Sequence, residues 1–338
     1  MSRPTNAAVS ILLPVYNAAP YLRECLDSVL AQSDPDWELL AVNDFSTDTS
    51  PKILHEYAAR DPRIRVSDNQ MKGIIPALRT AYAASKGRYL TRMDADDKMS
   101  SDKLRALRTL LQQHGRGHLA VGRVSYFAEG ELGAGYERYA EWLNGLTAAD
   151  RNFTEIYKEC VIPSPAWMLH REDLEACGAF TSDVYPEDYD LCFRFYEKGL
   201  QPVGTTETVH YWRDHSARTS RNDAVYADNR YFGLKVPYFL RLEQQTNRPL
   251  VLWGAGKKGK RLAQRLAAAA VPFHWVCNNP RKWGTQLHTA TLAGPATIDE
   301  YSAPQIIVAV AAPDGRREIE AFMREREMLP GEDFYFFC

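Results

Sequence analysis

The sequence predicts an α/β protein in which a doubly wound sheet, wrapped by helices, precedes a smaller α/β unit. Three observations carry that expectation. From residue 9 onward, short apolar runs alternate with amphipathic segments of helical period, the pattern of a parallel sheet covered by helices. The apolar run before residue 94 closes on "DADD", which places a cluster of charge at the end of a strand. At Pro249 a fresh strand, glycine turn and helix begin, in "PLVLWGAGKKGKRLAQRLAAAAVPFHWVC".

Each element follows in turn. "VSILLPVYN" reads as a strand running into a loop, and "YLRECLDSVLAQ" sets Leu22, Leu26, Val29 and Leu30 on one helical face. "WELLAVND" is a second strand, after which Thr47 and Asp48 are candidate caps for the helix in "TSPKILHEYAAR". Strand "RIRVS", helix "IIPALRTAYAAS" and strand "GRYLTRMD" keep the rhythm. From Ser125 to Ser164 the period blurs, so irregular structure with short helices is expected there, in a segment of the kind that shapes a substrate. "EDYDLCFRFYEKG" is helical, "ETVHYWR" is a strand, and "QIIVAVAAPDG" is a later strand of the second unit. The expected division is residues 1–222, a helical linker over 223–248, and a small domain over 249–338.

Composition narrows the function. Lys and Arg total 41 against 43 Asp and Glu, so no global field draws nucleic acid or an anionic membrane. The six cysteines form no CxxC pair and no zinc spacing, and the N-terminus carries no charged-then-apolar export pattern; a reducing cytoplasm is expected. The longest apolar stretch, Leu262 to Cys277, is broken by Arg265, Pro272 and His274 and falls short of the ~20 residues that span a bilayer.

The chemistry is concentrated at strand ends. In open parallel sheets ligands bind outside the carboxyl ends of the strands. Here those ends carry Pro14-Val15-Tyr16-Asn17, Asn43-Asp44 and Asp94-Ala95-Asp96-Asp97. Alternate residues of an extended segment point the same way, so Asp94 and Asp96 can face one ligand with Asp97 turned aside. Carboxylates are the ligands that Mg²⁺ or Mn²⁺ prefers, and such ions commonly complete their shell with phosphate oxygens. Taken alone, the cluster is more readily a solvated loop in which one aspartate caps the helix "SSDKLRALRTLLQQ".

"SILLPVYNAAPYLRECLDSVLAQSDPDWELLAVNDFSTDTS" followed by "RYLTRMDADD" resembles the inverting family 2 glycosyltransferases, over roughly residues 8 to 220. The resemblance implies the GT-A fold of nucleotide-diphospho-sugar transferases, with a doubly wound, mixed sheet. It implies that Pro14, Val15, Tyr16, Asn17 and Asp44 hold the base, that Asp94 and Ala95 lie near the ribose, and that Asp96 binds a Mn²⁺ or Mg²⁺ ion. In "YPEDYDLCFRF", Glu187-Asp188 matches the family's acid pair, with Asp188 as catalytic base and Glu187 beside the diphosphate or acceptor; read on the residues alone, the pair is equally a favourable charge at a helix start. "YWRDHSARTSR" resembles the segment near the diphosphate, giving Arg213 to the leaving group and His215 to the leaving group or the metal. Lys72 and Arg79 sit where family members carry donors close to the nucleotide. Where the family usually has Gly, this chain has Phe45, so a reshaped turn is expected after Asp44. The function implied is sugar transfer from a nucleotide donor, a UDP-sugar, to a glycan or lipid-linked glycan acceptor in bacterial cell-surface assembly, with peripheral membrane contact if the acceptor is lipid-linked. A binding protein that has lost catalysis is the alternative.

"GAGKKG", Gly254 to Gly259, meets GxGxxG between a strand and a helix, yet the following strand ends in Cys277-Asn278-Asn279 with no acid for a ribose. "NNPRKWG" resembles Rossmann-like modules fused to some bacterial glycosyltransferases. A structural, partner-docking or oligomerising role is favoured there over nucleotide binding or redox chemistry.

Overall fold

A computed structural model describes residues 7–338 other than 129, 131, 217, 219–230 and 289. The described residues divide into two compact units, one drawn from Met1–Phe153 and Val161–Ser216, the other from Thr154–Cys160 and Ala217–Cys338.

The first unit is built on an eight-stranded sheet. Its strands are β1 (Val9–Val15), β2 (Trp37–Asn43), β3 (Ile64–Asp68), β4 (Tyr89–Arg92), β5 (Lys98–Met99), β6 (His118–Phe127), β7 (Trp167–His170) and β8 (Gln201–Arg213), in the order β3-β2-β1-β4-β7-β6-β8-β5. β3, β2, β1 and β4 are parallel, and β7 joins antiparallel to β4, which makes the sheet mixed. Parallel strands covered on both faces are largely apolar, and β1 is: only Pro14 in "VSILLPV" escapes full burial, and the buried hydroxyl of Ser10 donates to Glu38 at 2.7 Å. Helices α1 (Ala19–Leu30), α2 (Ser50–Arg60), α3 (Ile74–Ala84) and α4 (Lys103–His114) follow the early strands. α1 buries Leu22, Cys25, Leu26 and Val29, with Leu30 packed at the edge of the same core.

Asp48 does more than cap one helix. Its Oδ1 accepts from Ser50 N at 2.9 Å and its Oδ2 from Ala19 N at 3.0 Å, so one carboxylate satisfies free amides at the starts of both α1 and α2. Thr47 instead donates its N–H to Asn17 Oδ1.

The segment expected to be irregular contains a long helix, α5 (Ala134–Ala148). Its apolar stripe is diluted by Gly135 and Gly145, which is why the period was not legible. A tertiary contact compensates: Asn144 accepts from Val124 N at 2.9 Å and donates to Val124 O at 2.8 Å, pairing with β6 where its register against β8 slips. α6 (Arg171–Ala176) and α7 (Glu187–Glu197) complete the unit.

The second unit has a six-stranded sheet: β9 (Leu250–Trp253), β10 (His274–Val276), β11 (Gln286–Leu287), β12 (Ala290–Ala293), β13 (Gln305–Val308) and β14 (Phe334–Phe336), ordered β11-β12-β10-β9-β13-β14. Of the expected linker, residues 223–230 lie outside the described residues, and Phe232–Leu242 is a helix packed within this unit. Residues 154–160 pack there too: the Tyr157 ring stacks on Phe337 with centroids 5.2 Å apart, and its hydroxyl lies 3.0 Å from Glu243. No helix among the described residues is long and apolar enough to cross a membrane.

Candidate active site

Register brings the strand-end residues to one rim. Val15 pairs with Asn43, Leu12 with Arg92, and Asn43 with Asp68, so the loops after β1, β2, β3 and β4 leave the sheet side by side. β2 and β4 flank β1 at about 4.8 Å on either side, which sets their loops about 10 Å apart.

The β1 and β2 loops are tied to each other. Asn17 has a positive φ of 47°, receives Thr47 N at 2.8 Å on its Oδ1, and donates its own N–H to Ser46 Oγ at 3.0 Å. Tyr16 is exposed, with the Lys72 ammonium 4.6 Å from its ring centroid. Val15 and Ala95 are buried, so they offer a ligand backbone rather than side chain. Asp44 is buried and bonded: both its oxygens accept from Gly73 N, at 2.9 and 3.0 Å, and Oδ1 accepts from Asn69 Nδ2 at 2.7 Å. It thereby fixes the loop after β3 that carries Lys72. Phe45 adopts φ 57°, the left-handed region a glycine would take freely, and leaves its ring 48% exposed. The turn keeps glycine-like geometry and carries an aromatic ring.

The aspartates after β4 divide their work. Asp97 turns inward, where its Oδ1 accepts from Arg213 N at 2.7 Å and its Oδ2 lies 2.9 Å from His210 Nε2. Asp96 faces the other way: its Oδ2 lies 2.9 Å from Nε2 of His215, whose ring packs on Tyr21. Asp94 accepts from Arg92 at 2.8 Å. Arg213 is buried, donates to the Asp96 carbonyl at 2.8 Å and to Glu24 at 3.0 Å, and lies over the rings of Phe127 and Tyr21. Its guanidinium braces the loop that presents Asp96.

Could this group hold a divalent ion? Neighbouring ligands on an octahedral ion at ~2.1 Å stand about 3 Å apart, the separation observed between Asp96 Oδ2 and His215 Nε2. Among the described residues no group of three or more His, Cys, Asp or Glu forms a cage for an ion. Mg²⁺-type ions commonly take one or two protein ligands and fill the shell with phosphate and water. The pair fits such an ion.

Across from Asp94 stands the start of α7. Asp190 is structural: it pairs with Arg194 at 2.9 Å, and Arg194 donates to the carbonyls of Cys177 and Ala179. Glu187 accepts from Arg92 at 2.9 Å. Asp188 is pushed up to about 7, first by burial of its carboxylate and then by the neighbouring Glu187, against the pull of Arg92 and of the Tyr189 N–H. A carboxyl at that value can exchange a proton near neutral pH.

Arg79 does not face this rim. It donates to the carbonyls of Phe180, Thr181 and Ser182 and to Asp183 at 2.7 Å, so it holds the loop leading into α7. A further charged residue joins the site: Arg92, 3% exposed at the end of β4. Its signal was a cation in phase with the buried positions of an apolar strand.

A family model described as glycosyl transferase family 2 matches residues 10–178, half of the chain. The chain belongs to glycosyl transferase family 2. Among relatives, the uncharacterized glycosyltransferase EpsJ of Bacillus subtilis is 40% identical over 106 residues, 31% of this chain and 31% of that protein. Among solved structures, S. aureus TarS in complex with UDP-GlcNAc aligns with a TM-score of 0.53 at 16% identity, over 70% of this chain and 68% of that one. The mannosyltransferase PcManGT from Pyrobaculum calidifontis, in complex with GDP-Man and Mn²⁺, aligns with a TM-score of 0.51 at 22% identity, over 69% of this chain and 63% of that one. Both likenesses are of fold: the family 2 chain has the GT-A architecture in its first unit.

Proposed function

We propose that this family 2 chain transfers a sugar, with inversion, from a nucleotide-diphosphate donor to an acceptor hydroxyl. The donor is a UDP-sugar, and the acceptor a glycan or lipid-linked glycan in bacterial cell-surface assembly such as lipopolysaccharide, O-antigen or capsule. The observation that carries the reading is the acid pair at the start of α7, whose Glu187 is tied by the buried Arg92 guanidinium to Asp94 on the strand-end rim, with Asp188 beside it. Family membership supports the reaction class, and the neighbours' UDP-GlcNAc, GDP-Man and Mn²⁺ support the donor class and the ion.

In this reading the base lies over the loops of Tyr16 and Asp44, the ribose near Asp94, and the diphosphate at Asp96 and His215. A Mn²⁺ or Mg²⁺ ion bound at Asp96 and His215 would neutralise the diphosphate and favour its departure. Asp188 accepts the acceptor's proton as that oxygen attacks the anomeric carbon and the bond to the diphosphate breaks. Arg213 holds the Asp96 loop in place and adds positive charge behind it.

A thermal-shift panel of nucleotide sugars with and without Mn²⁺ tests this, because a ligand bound only by the native state raises Tm. A UDP-sugar that stabilises the protein only with the ion is the expected outcome. Stabilisation by a nicotinamide cofactor, with none by any nucleotide sugar, would move the function to the second unit.

A further inference from the structure

Arg92 occupies an expensive position. Its side chain is 3% exposed, and its guanidinium forks between carboxylates from two elements: Asp94 just past β4 at 2.8 Å, and Glu187 at the start of α7 at 2.9 Å. Burial by itself would weaken its hold on the proton, but Asp94 and Glu187 override that cost, with Asp188 adding to them, and keep the guanidinium charged. The third nitrogen, Nε, is buried and meets no hydrogen-bond partner among the described residues. Below it the Lys103 ammonium donates to the Arg92 carbonyl at 3.2 Å and to the Pro165 carbonyl, so backbone and side chain are both pinned. A strand end placed merely for stability would be apolar, since a buried ion pair is seldom more stable than packed hydrocarbon.

We propose that Arg92 is the positioning residue of this site, which locks the donor-side Asp94 and Glu187 of α7 into one frame and, through Glu187, holds Asp188 in place beside its guanidinium. The inference rests on the glycosyltransferase reading for its chemistry and, for the coupling, on the two ion pairs by which Arg92 joins Asp94 to Glu187, the neighbour of Asp188. Arginine suits the task because its planar fork offers separate N–H groups to two acceptors, whereas the lysine ammonium is a point charge on a flexible stem. Among the described residues, the charged groups that act most on Asp188 are Glu187 on its own helix and Arg92 and Asp94 from the β4 side. Arg92 is the cation among them, so its removal leaves carboxylates facing one another.

The test is a pH titration of Asp188 by carboxyl-selective NMR in wild type, Arg92→Lys, Arg92→Gln and the double variant Arg92→Gln with Glu187→Gln, alongside kcat and donor KM. Arg92→Gln should raise the Asp188 midpoint by about one unit or more, because a like-charged neighbour loses its counter-ion. Arg92→Lys should hold the midpoint close to wild type while kcat falls roughly tenfold or more with donor KM little changed, since charge is kept and the fork is lost. The double variant should return the midpoint toward wild type.

If Arg92→Gln lowers Tm alone and leaves the midpoint where it was, Arg92 is only structural and the inference is overturned. Should that variant fail to fold, Arg92→Lys decides: unchanged kcat at an unchanged midpoint overturns the inference equally. Failure of the wild-type protein to transfer any sugar counts against the proposed function, while the NMR midpoints still settle the coupling.

Discussion

The loops that follow β1 and β2 and the loop that follows β9 solve one structural problem in opposite ways. In each case a buried parallel strand must turn sharply into a helix. After β9 the chain uses glycine: Gly254 takes φ 125°, and a Cβ on Gly259 would stand 1.9 Å from the Gly254 carbonyl oxygen, so helix and turn touch through bare backbone. After β1 and β2 the chain places Asn17 at φ 47°, where its side chain bonds locally, and Phe45 at φ 57°, a full side chain in an angle that costs about 1–2 kcal/mol. The polar groups differ in the same sense. Beside the cavity of about 250 Å³ at the β9 turn, Asn278 is paired with Trp253 Nε1 at 2.6 Å and with Glu318 at 3.2 Å. At the first rim Asp188 is pushed to about 7 by burial and a like charge. The turn after β9 is shaped by glycine and matched polar pairs, whereas the first rim carries side chains at left-handed angles and a carboxyl raised by burial and a like charge; left-handed side chains also occur elsewhere, at Ala270, His288, Ala303 and Glu327.

The sharpest way to break this comparison is Asp188→Asn. Transfer should fall between about a hundredfold and ten-thousandfold with UDP binding preserved, as for loss of a positioned base; a steady-state assay paired with UDP titration measures both. In wild type, kcat/KM should rise with pH through about 7 as Asp188 ionises. Stability moves the opposite way. A carboxyl raised in the folded state leaves full stability below its unfolded pKa near 4 and costs stability as pH climbs through 7. Asp188→Asn should therefore raise Tm at pH 8 and leave it nearly unchanged at pH 4. Unaltered turnover would reject the base.

Asp96→Ala comes next. It removes one of the two atoms spaced as neighbouring ligands, so the stabilisation given jointly by UDP and Mn²⁺ should vanish in a thermal-shift assay. Persistence of that joint shift would place the ion elsewhere. In the second unit, Gly259→Ala should cost about 1–3 kcal/mol by chemical denaturation, because the new methyl meets fixed backbone. At 25 °C its sugar transfer should match wild type. A large loss of transfer with stability intact would show that the glycine turn serves the reaction.

How legible these regions were in the sequence follows from what periodicity reports. An apolar run or a helical stripe states which face of an element is buried, so β1 to β4, α1 to α4 and the strand-end position of Asp44, Asp94 and Asp96 could be read directly. It does not state which other element covers that face. That is why Arg92 reaching Glu187, Arg79 reaching the loop before α7, and residues 154–160 packing with the second unit were not legible: each joins positions far apart in the chain. Helix α5 failed for the complementary reason, since Asn144 pairing with β6 supplies what a weak stripe lacks. The turn at Phe45 is instructive too. A side chain in place of the family's glycine suggested altered geometry, but the loop is held by Asn17 on Ser46 and Thr47 and by Asp44 on Gly73, and these bonds outweigh the local preference of one residue.

Phe45→Gly gives the smallest effect and the finest test. Relief of the left-handed angle should stabilise the first unit, offset by the greater freedom glycine gains in the unfolded chain, leaving a net gain of about 1 kcal/mol or less. If the exposed ring is only tolerated, donor KM stays put and the variant is simply more stable. A donor KM that rises severalfold while Tm also rises would mean that strain is kept for a contact, the ring lying against the donor's base beside Tyr16. A fall in stability would contradict both, and with them the claim that this rim, unlike the turn after β9, stores strain. Denaturation midpoints and donor KM for the one variant therefore decide whether the contrast between the two turns is energetic or only geometric.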